Sequence, residues 1–440
     1  MRPLLALAAV VAASIVERDW SADDSADAIA AGGVPVLLRK AESYLVRRVG
    51  TPHAGDDDAL LRTLHTVRGK ASATGLFVHE DTDRPEFAAN AFSRFECEFL
   101  EQTPFPTEAF FAPDAARALY ATVRLPESWD AAAAWPAGAA TAARAREKFA
   151  VTAAGLWAAN SSGARRQAAS REAPPSANVW VASRGRAAAH YDKQHNFLVG
   201  VAGRKRVTLW APKAWRLARQ YPYLHARHRQ ARVDGAAAGA DREAFDAAAL
   251  GSVVVGVGDA LYVPPFYWHR VEAVGGPTVA INVWTDAGYR WSRSAEEAGV
   301  ASGALPRNVR LRDKRTAAAT AAALVRAAAA ARFGGVGVVE AIARNRFSAA
   351  LFQCRVPFDA RGCPATNPWE PPSNRSEVLA AARDVAGALG DVPDGVAELL
   401  FGDWVERVAM HLLPPQNACV WLQCVADGRA WKDLDARTEL

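Results

Sequence analysis

The segment HYDKQHNF, residues 190–197, places two histidines and an aspartate within six positions of one another. In an extended strand, residues two apart project from the same face, so His190 and Asp192 would lie side by side and His195 would point to the other face. A further histidine, His269, lies in the apolar stretch DALYVPPFYWHRVEAV, residues 259–274, where we expect it to end a strand that follows a Gly-Asp turn. If the two segments form neighbouring strands, His190, Asp192 and His269 predict a metal site.

The kind of metal follows from the types of ligand. Two histidines and one carboxylate form a facial triad, which leaves three positions of an octahedral metal open and suits Fe(II) with a bidentate 2-oxo acid and O₂. Zinc would more often take further nitrogen or sulfur ligands, and no cysteine is near either segment in the sequence. The alternative is a polar strand edge whose histidines bind no metal.

Four further residues are predicted to line a pocket for such a cosubstrate. Lys205 begins the strand KRVTLW, and its ammonium could reach inward as a point charge for the distal carboxylate of the 2-oxo acid. Asn196 and Asn282 would supply amides, and Trp284, on the same face as Asn282, would form a wall of the pocket. The alternatives are a surface lysine with a buried stem, and amides and an indole that only fill the interior of a barrel.

The elements that must position these residues lie in a strand-rich central region. From residue 178 the sequence alternates Gly- and Pro-containing turns with short strands: NVWVAS, NFLVGV, KRVTLW, SVVVGV, DALYVP and VAINVW. The turns VAGRK and VGVGD are predicted to close hairpins, and an insertion of about residues 212–250 interrupts the strands. This mostly β core with additional helices predicts a barrel or a double-sheet jelly roll, the latter also called a double-stranded β-helix.

We divide the chain into four regions. Residues 1–16, with a charged start and an apolar run, are typical of a cleaved secretory signal; the alternatives are an Ala-rich helix and an organellar presequence. Residues 17–150 are an N-terminal α/β region with a buried strand in GGVPVLL. Residues 151–290 hold the double-stranded β-helix, and 291–440 form a C-terminal helical region, with helices in RTAAATAAALVRAAAAARF and VVEAIARNRF. A signal would direct the chain to the secretory pathway, and otherwise we expect a cytoplasmic or nuclear protein.

Charge, apolar stretches and cysteine count limit the partners and the compartment that we expect. The net charge is +5 at pH 7 without any long block of like charges, so we expect no strong nucleic-acid surface. Beyond the first residues no stretch is long and apolar enough to span a bilayer. Five cysteines cannot all pair, and the local pairs Cys354–Cys363 and Cys419–Cys424 are predicted only if the chain enters an oxidising compartment.

The segments HYDKQHNFLVGVAGRKRVTLWAP, YPYLHARHRQARVD, GDALYVPPFYWHRVEAV and VAINVW resemble the JmjC, or cupin-like, 2-oxoglutarate oxygenases. The likeness is strongest to the asparaginyl hydroxylase branch, that of factor inhibiting HIF, and covers about residues 178–286. The resemblance implies Fe(II) at His190, Asp192 and His269, with O₂ and 2-oxoglutarate as cosubstrates. It also implies that Lys205 binds the distal carboxylate, that Asn196 and Asn282 line the cosubstrate pocket, and that the C-terminal helices form a homodimer.

The resemblance also extends to the substrate. Arg229 and Gln230 stand where an Arg-Gln pair contacts the target side-chain amide in the asparaginyl hydroxylases, which implies hydroxylation of a protein or peptide side chain, of the Asn or Asp type. One departure is Ala187, three residues before the first histidine of the triad, where that branch has a threonine that hydrogen-bonds 2-oxoglutarate. Loss of one neutral hydrogen bond predicts weaker cosubstrate binding by about 1 kcal/mol.

Several functions stay open on the sequence alone. The chain could be a cupin-like oxygenase that acts on a tRNA, a small molecule or methyl-lysine. It could also be a catalytically idle cupin-like module for binding or dimerisation, although a complete triad with Lys205 argues against decay. A sugar isomerase or a storage-type cupin would need more histidines on the barrel strands than this sequence offers.

Overall fold

The computed structural model describes residues 14–21, 26–40, 77–80, 119–124, 176–182, 186–223, 228–235, 239–276, 278–285, 314–347, 375–412, 421–422 and 424–427. Its strands are β1 Val16–Asp19, β2 Val36–Arg39, β3 Phe77–Glu80, β4 Leu119–Arg124, β5 Ser176–Ala182, β6 Arg186–Tyr191, β7 His195–Ala202, β8 Lys205–Trp210, β9 Gly251–Val255, β10 Ala260–Val263, β11 Trp268–Ala273 and β12 Thr278–Thr285. Its helices are α1 Ala26–Ala31, α2 Trp215–Ala218, α3 Arg232–Gly235, α4 Ala240–Ala247, α5 Lys314–Phe333, α6 Gly337–Arg346, α7 Arg375–Gly387 and α8 Asp394–Leu412.

The strands form two sheets, and this arrangement confirms the predicted double-stranded β-helix. The large sheet has the order β1-β2-β10-β7-β12-β5-β4-β3, and the small sheet has the order β6-β11-β8-β9. From β5 to β12, strands that follow one another along the chain belong to opposite sheets, except for β8 and β9, as in a jelly roll. The buried strand predicted in GGVPVLL is β2, which pairs with β10 and so adds the N-terminal elaboration to the large sheet.

Two predicted hairpins are absent from the described strands. The turn VAGRK joins β7, which pairs with β10 and β12, to β8, which pairs with β9 and β11. The turn VGVGD likewise joins β9 of the small sheet to β10 of the large one. Both are corners between sheets, and the hairpin prediction is wrong for both. A tight turn with a glycine at positive φ, such as Gly203 (φ 63°), serves a hairpin and a corner equally well. Pairing is decided by which face of each strand meets the core.

The stretch DALYVPPFYWHRVEAV contains two strands where we expected one. β10 ends at Val263, and β11 begins at Trp268. The two prolines between them lack the amide hydrogen that a ladder requires, so the strand stops and the chain turns. His269 therefore lies near the start of β11, and the prediction that it ends the preceding strand is wrong.

The small sheet is packed on both faces. Its inner face joins a core between the sheets that includes Val207, Leu209 and Leu261. Its outer face, with Tyr191 and Trp268, belongs to a second core that is shared with the C-terminal helices. The helices thus cover the back of the sheet that carries His190 and His269.

The predicted C-terminal helices are confirmed as α5 to α8, and α5 packs mainly against α7 within the same chain. No single described helix could cross a membrane by its length and apolarity; α5 and α6, bent by 110° at the break between them, satisfy that test only as a pair. Cys424 is disulfide-bonded; Cys354, Cys363 and Cys419 lie outside the described residues. Residues 1–13 also lie outside them, so the secretory signal stays a prediction.

Candidate metal centre

Pairing of β6 with β11 brings the predicted triad together. His269 lies directly opposite His190 in the ladder, and their ring centroids are 4.2 Å apart. Asp192 follows the last residue of β6, and its Oδ2 lies 3.6 Å from His269 Nε2. One ligand atom from each of the three side chains lies within 4.8 Å of the others, which is a spacing that a single metal ion can bridge.

Main-chain carbonyls orient both imidazoles. His190 Nδ1 lies 2.7 Å from the carbonyl oxygen of Ala188, and His269 Nδ1 lies 3.1 Å from that of Tyr267. Each Nδ1–H therefore donates to a carbonyl, and the lone pair of each Nε2 is left for a metal. This arrangement of the outer nitrogen is typical of metal-binding histidines.

The protonation states also favour a metal. Burial, and then the neighbouring His269, lower the pKa of His190 to about 4, so that its ring is neutral at pH 7. Burial works against ionisation of Asp192, but the two imidazoles and Arg229 around it outweigh that effect and lower its pKa. At neutral pH a cation need not displace a proton from either residue. The donor set, two imidazoles and a carboxylate, fits a divalent first-row metal such as Fe(II).

The loop that carries Asp192 is fixed from two sides. The carbonyl oxygen of Asp192 accepts a hydrogen bond of 2.7 Å from the amide of Phe266, in the turn before β11. Phe266 has φ +64°, an uncommon conformation for a bulky residue and one that tends to occur at functional sites. On the other side, Asn196 Nδ2 donates to Asp192 Oδ2 at 2.9 Å.

The side-chain amides of Asn282 and Asn196 form a chain of hydrogen bonds that ends at the Asp192 carboxylate. Asn282 Nδ2 donates to Asn196 Oδ1 at 2.7 Å, and both side chains are buried. Asn282 Oδ1 is also buried, with no hydrogen-bond partner among the described residues. A buried amide oxygen without a donor is costly, so this position is suited to a bound group that can donate a hydrogen bond.

A cavity of about 230 Å³ opens beside the triad. The residues that line it are Trp180, Arg186, Ala187, Ala188, His190, Asp192, Asn196, Leu198, Val207, Arg229, Gln230, Val263, His269, Val271, Asn282 and Trp284. Trp284 forms one wall, edge-on to Trp180 with ring centroids 6.1 Å apart. Ala187, at the place of the expected threonine, also faces this space, so the departure from the family pattern lies within the cavity.

Lys205 is buried on the inner face of β8. Only 3% of the residue is exposed, and burial lowers the pKa of its ammonium to about 7. It does not itself line the cavity, but Val207, two residues along on the same face, does. In the ladder, Lys205 lies opposite Ala273, four residues beyond His269 on β11, which is roughly 13 Å along the sheet. Lys205 therefore lies deeper in the barrel than the triad.

Arg229 and Gln230 lie at the metal side of the cavity. Gln230 forms an isolated bridge with His190, and the amide of Tyr191 donates to the carbonyl of Arg229 at 3.2 Å. Arg229, 41% exposed, lies 3.6 Å from Asp192 Oδ1. The structure therefore brings both predicted substrate residues against the metal-bearing strand.

The remaining histidine of the quoted segment has another environment. His195 Nδ1 hydrogen-bonds Tyr262 Oη at 2.8 Å, away from the triad, as the strand periodicity predicts.

Sequence reasoning missed Asp234, a fully buried carboxylate that hydrogen-bonds the metal-bearing strand. No spacing or motif marks it; the single signal in the sequence is its position four residues after Gln230 in RQARVD.

The sequence profile of the cupin-like domain family matches residues 25–290, more than half of the 440 residues. The chain therefore belongs to the cupin-like domain family. The match begins well before residue 151, in keeping with the place of β2 in the large sheet.

Two curated relatives show partial similarity. Lysine-specific demethylase JMJ31 from Arabidopsis thaliana is 30% identical over 118 residues, which are 26% of this chain and 21% of the relative. JmjC domain-containing protein D from Dictyostelium discoideum is 31% identical over 103 residues, 22% of each. The chain thus spans about a fifth of either relative. Closeness to the asparaginyl hydroxylase branch is not shown by these matches and stays a prediction.

Solved cupin structures also match a part of the chain. Oxalate decarboxylase from Bacillus subtilis is 19% identical, over 28% of this chain and 25% of that one, with a TM-score of 0.17. The coconut allergen cocosin is 15% identical, over 26% of this chain and 21% of that one, also with a TM-score of 0.17. At scores this low the likeness says nothing about function.

Proposed function

We propose that the protein is an Fe(II)- and 2-oxoglutarate-dependent oxygenase that hydroxylates a side chain of a protein or peptide. The observation that carries this proposal is the triad: two imidazoles and a carboxylate, with ligand atoms within 4.8 Å, beside a cavity in a cupin-like fold. A facial triad leaves room on the metal for a bidentate cosubstrate and for O₂.

When bound, iron would couple the oxidation of 2-oxoglutarate to succinate and CO₂ with the transfer of one oxygen atom of O₂ into a substrate C–H bond. The chain's own residues hold and orient the reactants. Asn196 and Asn282 keep the Asp192 carboxylate in place and line the cosubstrate side. Lys205, buried in the interior of the barrel, is suited to bind the distal carboxylate of 2-oxoglutarate.

The substrate class rests on the rim of the cavity. Arg229 and Gln230 present a guanidinium and an amide beside Asp192, a pair that can hydrogen-bond a side-chain amide or carboxylate. This supports an Asn or Asp side chain as the target. The partial similarity to a protein named a lysine-specific demethylase supports methyl-lysine as the second candidate.

The test is 2-oxoglutarate turnover after anaerobic loading with Fe(II). Succinate release would be measured with ankyrin-type peptides that contain Asn or Asp, with methyl-lysine peptides, with RNA and with buffer alone. We expect stimulation by the Asn and Asp peptides and a mass gain of one oxygen in the peptide. Stimulation only by methyl-lysine peptides or only by RNA would contradict the proposed substrate class but would still support oxygenase activity.

A binding module without catalytic activity would give another result. It would bind no stoichiometric iron and would release no succinate with any of the substrates, and that outcome would contradict the proposal.

The predicted homodimer can be tested with the same preparation by size-exclusion chromatography with light scattering, where a mass of 47.0 kDa indicates a monomer and twice that mass a dimer.

A further inference from the structure

The ladder between β6 and β11 contains a bulge next to the first histidine of the triad. His190 pairs with His269, and Ala187 pairs with Val271, so β6 uses three steps where β11 uses two. The extra residue reverses the side-chain alternation of β6. Ala187 and His190, three apart, therefore both face the cavity. Bulges often redirect side chains at functional sites.

The main-chain groups of Ala189, within this bulge, are bound by the segment that follows Gln230. The amide of Ala189 donates to Asp234 Oδ2 at 2.7 Å, and its carbonyl accepts from the amide of Ala231 at 2.7 Å. An unpaired amide in this buried position would be costly, and a carboxylate is a strong acceptor for it.

The Asp234 carboxylate is held in place by two arginines. It is fully buried, and its Oδ1 accepts from Arg186 at 3.1 Å and from Arg270 at 2.8 Å. Arg270 also contacts the partly exposed Asp246 at 3.2 Å. Because Arg186 comes from β6 and Arg270 from β11, Asp234 links the two strands that carry the histidines.

We propose that Asp234 is a positioning residue for the metal site: it holds the bulge of β6, and the bulge in turn orients His190. The connection runs through two hydrogen bonds that are joined by one peptide group. Asp234 binds the amide of Ala189; this fixes the peptide between Ala188 and Ala189; and the carbonyl of that peptide accepts the Nδ1–H of His190 at 2.7 Å. The role rests on the metal-binding part of the proposed function and adds a residue to it.

The test compares Asp234→Asn with Asp246→Asn in the full chain. Asp246→Asn changes the other acceptor of Arg270 but makes no contact with the bulge, so it is a matched control. We would measure the dissociation constant of Mn(II), a redox-stable substitute for Fe(II), by electron paramagnetic resonance. Loss of an outer contact of a ligand typically weakens metal binding by about 10–100-fold. We expect about tenfold or more for Asp234→Asn and less than about twofold for Asp246→Asn.

A second measurement does not depend on a metal. Imidazole ¹⁵N chemical shifts of the apoprotein report the tautomer of His190, which we expect to be Nδ1–H in the wild type and mixed in Asp234→Asn. A purely structural role would lower the melting temperature but leave the Mn(II) affinity and the tautomer unchanged, and this result would overturn the inference. If even the wild type bound no Mn(II), the metal site itself would fail, and the tautomer comparison would still decide the role of Asp234.

Discussion

At the scale of the residue, the triad depends on which atoms of each histidine are already engaged. Both Nδ1 atoms are hydrogen-bonded to carbonyls, and the ring of His195, five residues after His190, is hydrogen-bonded to Tyr262. His190 and His269 therefore share one chemical role, and His195, although it lies in the same short segment as His190, has another. The difference can be tested by substitution.

We expect Asp192→Ala to abolish 2-oxoglutarate turnover and stoichiometric iron binding, because two imidazoles alone leave the cation without its anionic ligand. His195→Ala should keep stoichiometric iron, although loss of its bond to Tyr262 will cost some stability. Iron would be determined by mass spectrometry of the desalted protein, and turnover by succinate release. Undiminished turnover in Asp192→Ala would refute the site.

The lowered pKa of the buried Lys205 predicts that cosubstrate binding depends on pH. Its pKa is lowered from 10.5 to about 7 by burial, whereas a bound carboxylate requires the charged ammonium. Above pH 7 binding must therefore take up a proton, and the affinity for 2-oxoglutarate should fall by up to about tenfold per pH unit. Calorimetry of the Mn(II)-loaded protein at pH 8, in buffers of different ionisation enthalpy, should show uptake of about one proton. Little uptake is expected at pH 6, and equal uptake at both values would contradict the role of Lys205.

The same shift has an effect on stability with a definite sign. Between pH 7 and 10.5 the unfolded chain keeps the proton on Lys205 and the folded apoprotein does not. The unfolded state then binds more protons, so the contribution of this lysine to the free energy of unfolding rises with pH across that window. Below pH 7 the cost of burying the charge is present in full.

At the scale of the element, the corners between sheets require close backbone approach. The amide of Gly200 in β7 donates to the carbonyl of Asp259 at 3.0 Å, and the carbonyl of Gly200 accepts from the amide of Gly258 at 3.1 Å. A Cβ added at Gly200 would lie 1.9 Å from the carbonyl oxygen of Gly256. Because that neighbour is backbone, it cannot rotate away.

We therefore expect Gly200→Ala to lower the free energy of unfolding by about 1–3 kcal/mol, as overpacking typically does. Gly335→Ala is the control, since a Cβ at that position meets nothing within 4 Å; it should be neutral or slightly stabilising. Urea denaturation followed by circular dichroism would compare the two. Equal midpoints for both variants would show that the corners can move apart at little cost.

The elements could be located from the sequence far better than their pairing. Short, mostly apolar runs between Gly- and Pro-containing turns predict β7, β8 and β10, and β8 and β10 are buried on both faces. The same pattern does not record which strand lies beside which, and a glycine turn fits both a hairpin and a corner. The two hairpins were therefore predicted wrongly although their strands were correct.

At the scale of the whole molecule, the C-terminal helices support the metal loop. Arg346 of α6 is fully buried and pairs with Asp403 at 2.9 Å and with Glu406 at 2.7 Å, both in α8. Asp403 also pairs with Lys193 at 2.7 Å, directly after Asp192. One charge network thus joins two C-terminal helices to the residue beside a ligand of the triad.

We expect Arg346→Met to destabilise the protein by about 3–5 kcal/mol, because it removes the arginine from the buried Glu406 and leaves Asp403 with Lys193 alone. Arg344→Met is the matched control from the same helix. Arg344 is exposed and pairs with Glu340 at i,i+4, so its loss should change stability by less than about 0.5 kcal/mol. Thermal unfolding would rank the two variants by their melting temperatures. Similar melting temperatures for the two variants would contradict the role of the network.

The sequence by itself determined the type of core and the C-terminal helices and singled out the three residues of the predicted triad, because these depend on short-range patterns and on the chemistry of side chains. His190 and Asp192 are near in the chain, and His269 follows directly on the apolar residues ALYVPPFYW. The tertiary structure alone decided the bulge of β6, the inward turn of Ala187, the buried position of Asp234 and the link from Asp403 to the metal loop. These features depend on contacts between residues far apart in sequence, and such contacts leave no periodic trace in the chain.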